Sequence, residues 1–366
     1  MQIPDWPISS DRELDLLRQV IESGHWGGHS DFVKQCERAF ADFTQCAHGI
    51  SAMNGTVTLE MALSAAGVGP GDEVIVPAIS FVSTAMAVSR VGATPVFVDI
   101  EPLSFNMDPE RAAAAITPAT TAIIAVHFGG AIADMDQLVP LAAAHSLALI
   151  EDAAHAQGSE WNGRRAGSLG LAGSFSFQNS KVITSGEGGM LTTNDGSFRE
   201  AAWSIMDQGR KPDGGWFHHY VLGSNYRITG LQAAVLLAQL ERLPEQNCRR
   251  TRNATLLRTK LADAPGLRFQ TIPRQQNTNS WYLLLGRTPR RDEFHRKLTA
   301  QGVPCTPFYP HPLYGNPLYQ QGNCRVEPCP VAEACVADTF WLPHRALLAD
   351  ERTTLEIARA MEVALS

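Results

Sequence analysis

Residues 147–155 read Leu-Ala-Leu-Ile-Glu-Asp-Ala-Ala-His, an apolar run that ends in two adjacent acids. A short apolar run of this kind is typical of a strand that is buried on both faces of a sheet. An acid at the end of such a strand is poorly placed for solvation, so we expect Asp152 to have a partner. The residues alone leave a second interpretation open, in which Asp152 caps the following helix.

Similar apolar runs recur on both sides of this segment. Strands are expected at residues 73–77, 94–99, 122–127, 147–152, 174–177 and 189–193. The Ala- and Leu-rich segments between them are expected to form helices, for example at residues 61–66, 111–116 and 135–145. Strands that alternate with helices predict an α/β fold with a mostly parallel central sheet.

The second half of the chain has a different pattern. A long helix is expected to begin at Thr229 and to reach about Leu243. Beyond it the sequence is richer in Pro and Cys and resembles a smaller α+β unit. We therefore expect a large domain over residues 1–244, which includes the N-terminal segment, and a small C-terminal domain over residues 245–366.

The composition argues against several classes of protein. The chain has 366 residues, 44% of them hydrophobic, which is enough for two domains with substantial cores. A formal net charge of −7 argues against a nucleic-acid partner. No apolar run reaches the length of a membrane span and the N-terminus lacks a signal-peptide pattern, so we expect a cytoplasmic protein without a membrane partner. The closest of the seven cysteines lack a CxxC pair, so we expect reduced thiols and no metal site.

Two segments have the features of a cofactor site. Gly55 and Thr56 open an amphipathic helix, whose N-terminal N–H groups and dipole suit a phosphate, although an ordinary helix cap explains the same residues. Lys181 follows a buried strand and precedes a Gly-rich turn, where a partly desolvated amine can form a Schiff base with pyridoxal phosphate. In such an enzyme Asp152 keeps the pyridine nitrogen protonated, and His155 contacts the ring hydroxyl. An isolated lysine, taken alone, is usually a surface charge.

Together these motifs resemble the DegT/DnrJ/EryC1/StrS family of sugar and cyclitol aminotransferases. The resemblance runs from Trp26 to His344 and implies the aspartate-aminotransferase-like fold, also called fold type I. It implies Phe81 as an aromatic platform over the cofactor ring and Asn225, in a turn at residues 223–227, as a contact to the phosphate of the neighbouring subunit. The cofactor-binding residues that it implies are Gly55, Thr56, Phe81, Asp152, His155, Ser176, Lys181 and Asn225, of which Lys181 and Asp152 are expected to be catalytic.

The resemblance also implies an activity. Members of the branch that looks most similar are scyllo-inosose aminotransferases and 3-amino-5-hydroxybenzoate synthases. We therefore expect a ping-pong transfer of an amino group from glutamate or glutamine to a keto-sugar or keto-cyclitol, in aminosugar or secondary-metabolite biosynthesis. A homodimer with shared active sites and a Schiff base on Lys181 are implied too. Two alternatives stay open: an aromatising or dehydrating enzyme of the aminohydroxybenzoate synthase type, and a non-catalytic regulator that binds pyridoxal phosphate.

The sequence says least about the substrate. The absence of a dense basic cluster favours a free cyclitol or simple sugar over a nucleotide-linked one. A lone histidine is more often structural than a ligand, and a structural role near the phosphate explains Arg227 as well as a contact to the donor carboxylate does. The candidates for substrate contact are His218, His219, Tyr220, Arg227, Tyr309, His311, Tyr314 and His344.

Overall fold

The computed structural model describes residues 1–273 and 275–366. Its helices are α1 (Asp11–Ser23), α2 (Asp31–Thr44), α3 (Gly55–Ala65), α4 (Ser83–Arg90), α5 (Pro109–Ala114), α6 (Met135–Ala144), α7 (Gly196–Met206), α8 (Gly230–Lys260), α9 (Arg291–Ala300), α10 (Pro330–Asp338) and α11 (Glu351–Leu365). Short 3₁₀ helices lie at Phe128–Gly130, Leu313–Gly315, Tyr319–Gln321 and His344–Leu348. Its strands are β1 (His48–Ala52), β2 (Glu73–Pro77), β3 (Thr94–Val98), β4 (Thr120–Val126), β5 (Ala148–Asp152), β6 (Glu160–Trp161), β7 (Arg164–Arg165), β8 (Ala172–Ser176), β9 (Gly189–Thr193), β10 (Arg268–Phe269), β11 (Gln276–Thr278), β12 (Leu283–Arg287), β13 (Thr306–Pro307), β14 (Arg325–Val326) and β15 (Thr339–Pro343).

The central sheet has eight strands in the order β1-β9-β8-β5-β4-β2-β3-β14. The pairings from β8 through β5, β4, β2 and β3 to β14 are parallel, whereas β9 pairs antiparallel with β8 and β1. The predicted mostly parallel sheet is therefore confirmed, and the six predicted strands agree with the structure to within two residues at each end. Because parallel strands point the same way, the carboxyl ends of β4, β5 and β8 meet at one edge.

The strands read as continuous apolar runs because helices cover both faces of the sheet. Ile75 of β2 faces a core that contains Phe40 of α2 and Leu236 of α8. The next residue along the strand, Val76, faces a second core with Leu59 of α3. Both layers are closely packed, which fixes the strand ends that build the site.

Helix α8 begins at Gly230, as the cap at Thr229 predicts, but it continues to Lys260, well past the predicted end at Leu243. Pro244 removes one amide donor, yet Leu243 and Asn247 on either side are buried, so tertiary packing stabilises the helix through the proline. The helix leads to a second sheet, β10-β12-β15-β13, which packs with α9 and α11. The expected domain division at residue 244 lies inside α8, and it stays a prediction.

Within residues 1–273 and 275–366, none of the helices combines the length and the apolar character needed to cross a membrane.

Candidate active site

A cavity of about 370 Å³ opens at the carboxyl ends of β4, β5 and β8. Most of the residues that the sequence singled out for a cofactor lie around it, although they come from four separate segments. The structure brings together Gly55, Thr56, Phe81, Asp152, His155, Ser176, Lys181 and, from the substrate candidates, Tyr309.

The N-terminus of α3 forms one wall of the cavity. The Asn54 side chain caps the helix by accepting from the Val57 N–H at 2.9 Å. A Cβ on Gly55 would lie 2.8 Å from the Cβ of Ser176, so only glycine allows the helix to approach β8 this closely. The Thr56 and Ser83 hydroxyls are 2.7 Å apart, and both residues line the cavity with Ser176. Helix N–H groups beside hydroxyls are a suitable seat for a phosphate.

Asp152 lies at the end of β5, with only 7% of its surface exposed. Its carboxylate accepts a hydrogen bond from the Thr84 hydroxyl at 2.7 Å and one from the Ala154 N–H at 3.3 Å. Burial raises its pKa, and the Thr84 hydrogen bond and the charge of Lys181 only partly oppose this rise. No residue in the described parts of the chain forms an ion pair with it, so the carboxylate is suited to a cationic partner from a ligand.

His155 is a buried, neutral imidazole whose Nε2 carries the proton. Its Nδ1 accepts from the Gly129 N–H at 3.3 Å, which leaves the proton on Nε2. Burial, and then the charge of Lys181, lower its pKa well below the usual value. The ring packs against the Tyr282 ring with centroids 4.3 Å apart.

Lys181 lies on the turn that follows β8. Its backbone N–H donates to the Gln178 carbonyl at 2.9 Å, and its Nζ lies 4.5 Å from the centroid of the Tyr282 ring. The Tyr282 hydroxyl is 3.0 Å from the Ser180 hydroxyl. The aromatic face therefore supports the lysine by a cation–π contact and the turn by a hydrogen bond.

Glu151, next to Asp152, points away from the cavity. Its carboxylate accepts from the backbone N–H groups of Gly167, Leu169 and Gly170 at 2.7–2.8 Å, and it lies 2.9 Å from His127 Nε2. The adjacent acids thus have different functions, since alternate residues of a strand face opposite sides. Glu151 anchors the loop before β8, and Asp152 faces the cavity.

Several predicted residues lie outside the cavity. Asn225 is exposed and forms an isolated backbone bridge with Asp207, whose carboxylate pairs with Arg227. The three aromatic candidates of the preceding loop are also exposed: His218, His219 and Tyr220.

The remaining substrate candidates lie on the C-terminal part of the chain. Tyr309 lines the cavity, and burial raises the pKa of its hydroxyl. His311 Nδ1 is 2.9 Å from the carbonyl of the adjacent proline, and the Tyr314 hydroxyl donates to Glu333 at 2.8 Å. His344 is buried and contacts the Ser180 carbonyl, behind the turn that carries Lys181.

Sequence reasoning missed other residues around the cavity. They contribute aromatic, hydroxyl and carboxylate groups: Ser83, Glu187, Tyr282 and Trp341. Trp341 lies in a segment that carried the family resemblance, but Tyr282 has no local signal beyond its place before an apolar strand.

The residues present fit pyridoxal phosphate. The α3 N-terminus with Thr56 and Ser176 suits the phosphate, the unpaired Asp152 carboxylate suits a protonated ring nitrogen, and Lys181 supplies an amine in the same cavity. Metal binding has no comparable support, since the described residues contain no group of three or more His, Cys, Asp or Glu arranged for a metal ion.

Comparisons with known proteins agree with this geometry. A model of the DegT/DnrJ/EryC1/StrS aminotransferase family matches residues 7–361. The crystal structure of a 3-amino-5-hydroxybenzoic acid synthase superposes with a TM-score of 0.95 at 38% identity, covering 99% of this chain and 98% of that one. A GDP-perosamine synthase of Caulobacter vibrioides is 39% identical, over 94% of this chain and 93% of that protein. An L-glutamine:2-deoxy-scyllo-inosose aminotransferase of Streptoalloteichus tenebrarius is 38% identical, over 98% and 93%.

Proposed function

The chain belongs to the DegT/DnrJ/EryC1/StrS aminotransferase family, and we propose that it transfers the amino group of glutamate or glutamine to the keto group of a sugar or cyclitol. It is a pyridoxal-phosphate-dependent aminotransferase with the aspartate-aminotransferase-like fold. The observation that carries the proposal is the buried Asp152 carboxylate, which lacks an ion-pair partner in the described chain and shares one cavity with Lys181.

Each predicted cofactor residue that lines the cavity has a function in holding the cofactor. When bound, pyridoxal phosphate supplies an electron sink for proton removal from the carbon that bears the amino group. The N–H groups at the start of α3, with the hydroxyls of Thr56 and Ser176, hold its phosphate. Asp152 holds the proton on the ring nitrogen, His155 offers its Nε2–H as a donor, and Phe81 covers the ring.

Lys181 is the group that moves the proton. Its amine would hold the cofactor between turnovers and, when free, would take a proton at Nζ as base and return it as acid. The Tyr282 ring lies 4.5 Å from Nζ and keeps the freed amine beside the cavity. Because the donor and the acceptor would react in the same cavity beside Lys181, the donor has to leave before the acceptor enters, which predicts ping-pong kinetics.

The cavity favours an acceptor without a nucleotide. Lys181 is the sole lysine or arginine among the described residues that line it, and four aromatic side chains surround the remaining space: Phe81, Tyr282, Tyr309 and Trp341. A diphosphate is held best by cationic partners, and Lys181 is the one such partner that the described residues bring to this cavity. Hydroxyl-bearing rings, by contrast, pack well on aromatic faces, so we propose a free cyclitol or simple sugar as the acceptor.

A second copy of the chain is proposed to complete the site. Next to Asn225, an exposed loop carries Trp216, Phe217 and Leu222, whose surfaces are 91%, 77% and 97% exposed in the single chain. Large apolar side chains exposed this far are typical of a protein interface. We propose that the loop docks on a second copy and brings Asn225, with His218, His219 and Tyr220, to the partner's cavity.

The lysine assignment has a direct test. Borohydride reduction of the purified yellow enzyme, followed by peptide mass spectrometry, should locate the cofactor on Lys181. Lys181→Ala should lose the label and essentially all turnover, whereas the matched control Lys260→Ala, at the exposed end of α8, should keep both. Recovery of the label on another lysine would contradict the proposal.

A second function has one observation in its favour, the close superposition on the 3-amino-5-hydroxybenzoic acid synthase. Such an enzyme gives an aromatic product, which absorbs in the near ultraviolet. The aminated product of a keto-cyclitol has no aromatic ring and does not absorb there. Assays with glutamate or glutamine against keto-cyclitols, nucleotide-linked keto-sugars and a cyclic keto-acid would separate the two. Bound cofactor without turnover of any donor would indicate a regulator.

A further inference from the structure

Residues 179–182, here called the lysine turn, are held by side chains that are distant in the sequence. The indole Nε1–H of Trp6 donates to the Asn179 carbonyl at 2.8 Å. His344 Nε2 lies 3.1 Å from the Ser180 carbonyl. Two consecutive carbonyls before Lys181 therefore bind groups from opposite ends of the chain.

Arg250 holds the other side of the turn from helix α8. Its fully buried guanidinium donates to the Val182 carbonyl at 3.3 Å. Its remaining partners are neutral, namely Asn247 Oδ1 at 2.8 Å, Gln246 Oε1 at 3.3 Å and His344 Nδ1 at 3.3 Å. Burial lowers its pKa to about 9, so it is still charged at neutral pH. Since no carboxylate of the described chain pairs with it, this cation is unfavourable for stability. A need to fill space therefore does not explain why an arginine occupies this buried position.

Arg250 also fixes the protonation of His344. Because arginine can only donate, His344 Nδ1 accepts, and the ring proton is on Nε2, which faces the lysine turn. Burial and the charge of Arg250 lower the pKa of His344 well below its usual value, so the ring stays neutral. The Trp6 indole covers this ring edge-on, with centroids 4.5 Å apart. The Nε2–H group of His344, which donates to the lysine turn, is thus fixed both in position and in protonation state.

We propose that Trp6, His344 and Arg250 are positioning residues that hold the lysine turn so that the Lys181 amine faces the cavity. The proposal rests on the proposed function, which gives Lys181 its role. None of the three lines the cavity in the part of the chain that the structure describes, so they act through the backbone of the turn. His344, a substrate candidate by resemblance, receives a different function.

The test measures amide hydrogen exchange of the turn in the cofactor-loaded enzyme. Trp6→Phe keeps an aromatic ring and removes the donor, so exchange within residues 179–182 should be about fivefold faster. His344→Leu should give a larger increase and a severalfold loss of kcat with little change in KM for the amino donor. His344→Gln, whose amide nitrogen can replace Nε2, should restore most of the lost kcat.

Trp161→Phe is the matched control, because its indole donates to Asp136 at 2.9 Å, outside the turn. It should leave exchange of the turn and kcat unchanged, whatever its effect on stability. The proposal is overturned if Trp6→Phe and His344→Leu behave like this control. Arg250→Met, which removes the donor to the Val182 carbonyl, should also make exchange of the turn faster, and if it does not fold the other two variants decide. Borohydride labelling separates the outcomes, since a label on Lys181 with an unchanged turn refutes the positioning role and retains the proposed function.

Discussion

At the scale of single residues, the site depends on a carboxylate that the fold keeps in an unfavourable place. Asp152 is buried at a strand end, and hydrogen bonds from Thr84 and Ala154 do not offset the loss of water, so its pKa is raised. An acid whose folded-state pKa lies above its unfolded value destabilises the cofactor-free fold at neutral pH. The cationic ring nitrogen of the cofactor would relieve this penalty, so we expect the charge of Asp152 to be coupled to cofactor binding.

Asp152→Asn should therefore separate stability from activity. At pH 7 the cofactor-free variant should melt about 1–3 °C higher than the wild type, because the penalty for burying a charge is removed. This gain should vanish at a pH below the unfolded pKa of aspartate, where the wild-type carboxyl is also neutral. Turnover should fall far more than cofactor occupancy, because the phosphate contacts at Gly55, Thr56 and Ser176 remain. Differential scanning calorimetry measures the melting temperature, and absorbance titration measures cofactor occupancy. Near-normal turnover would mean that Asp152 serves only the turn after β5, where it accepts from the Ala154 N–H.

At the scale of elements, the carboxyl end of β5 is held by the loop that leads into β8. Each oxygen of Glu151 serves two donors: Oε1 accepts from Leu169 and Gly170, and Oε2 accepts from Gly167 and His127. This network fixes β5 beside β8, so that Asp152 and Lys181 reach the same cavity. Glu151 thus stabilises the site without touching it.

Glu151→Gln tests this anchor. Whichever way the amide is turned, its NH2 group meets two donors, so the variant should lose about 3 kcal/mol of unfolding free energy. Urea denaturation followed by circular dichroism measures the loss of unfolding free energy. Glu241→Gln, in an exposed pair with Arg12, is the control and should lose much less, because solvent screens that pair. An equal loss in both variants would show that Glu151 is no special anchor.

At the scale of the whole molecule, a single chain does not bring all the predicted site residues to the cavity. Lys181 lines the cavity, whereas Asn225 lies exposed beside an apolar loop. The proposed homodimer would resolve this separation if its two-fold axis placed the same loop of each copy at the other's cavity, since contacts across such an axis are reciprocal.

Subunit complementation tests the shared site. Lys181→Ala and an Asn225 variant that loses cofactor should each be inactive alone at limiting cofactor. If the two are unfolded and refolded together, about half the dimers are mixed, and each mixed dimer has one wild-type site. Activity should return to about a quarter of the wild-type level. Mixed dimers that form, as native mass spectrometry would show, yet stay inactive would refute sharing.

The sequence by itself determined the strands of the central sheet, the residues at their ends and the place of Lys181 just after one of them, because apolar periodicity and local motifs report burial and backbone direction. It could not assign Tyr282, Trp6 or Arg250, and it misplaced the end of α8, where packing around Pro244 overrides the local preference of proline. The contacts of the lysine turn join residues 173, 164 and 68 positions apart. Such pairs leave no local pattern, since they form only when the order of strands and the path of α8 bring the two ends of the chain to the turn behind β8. The tertiary structure therefore decided what holds Lys181, because that depends on which distant surfaces pack together.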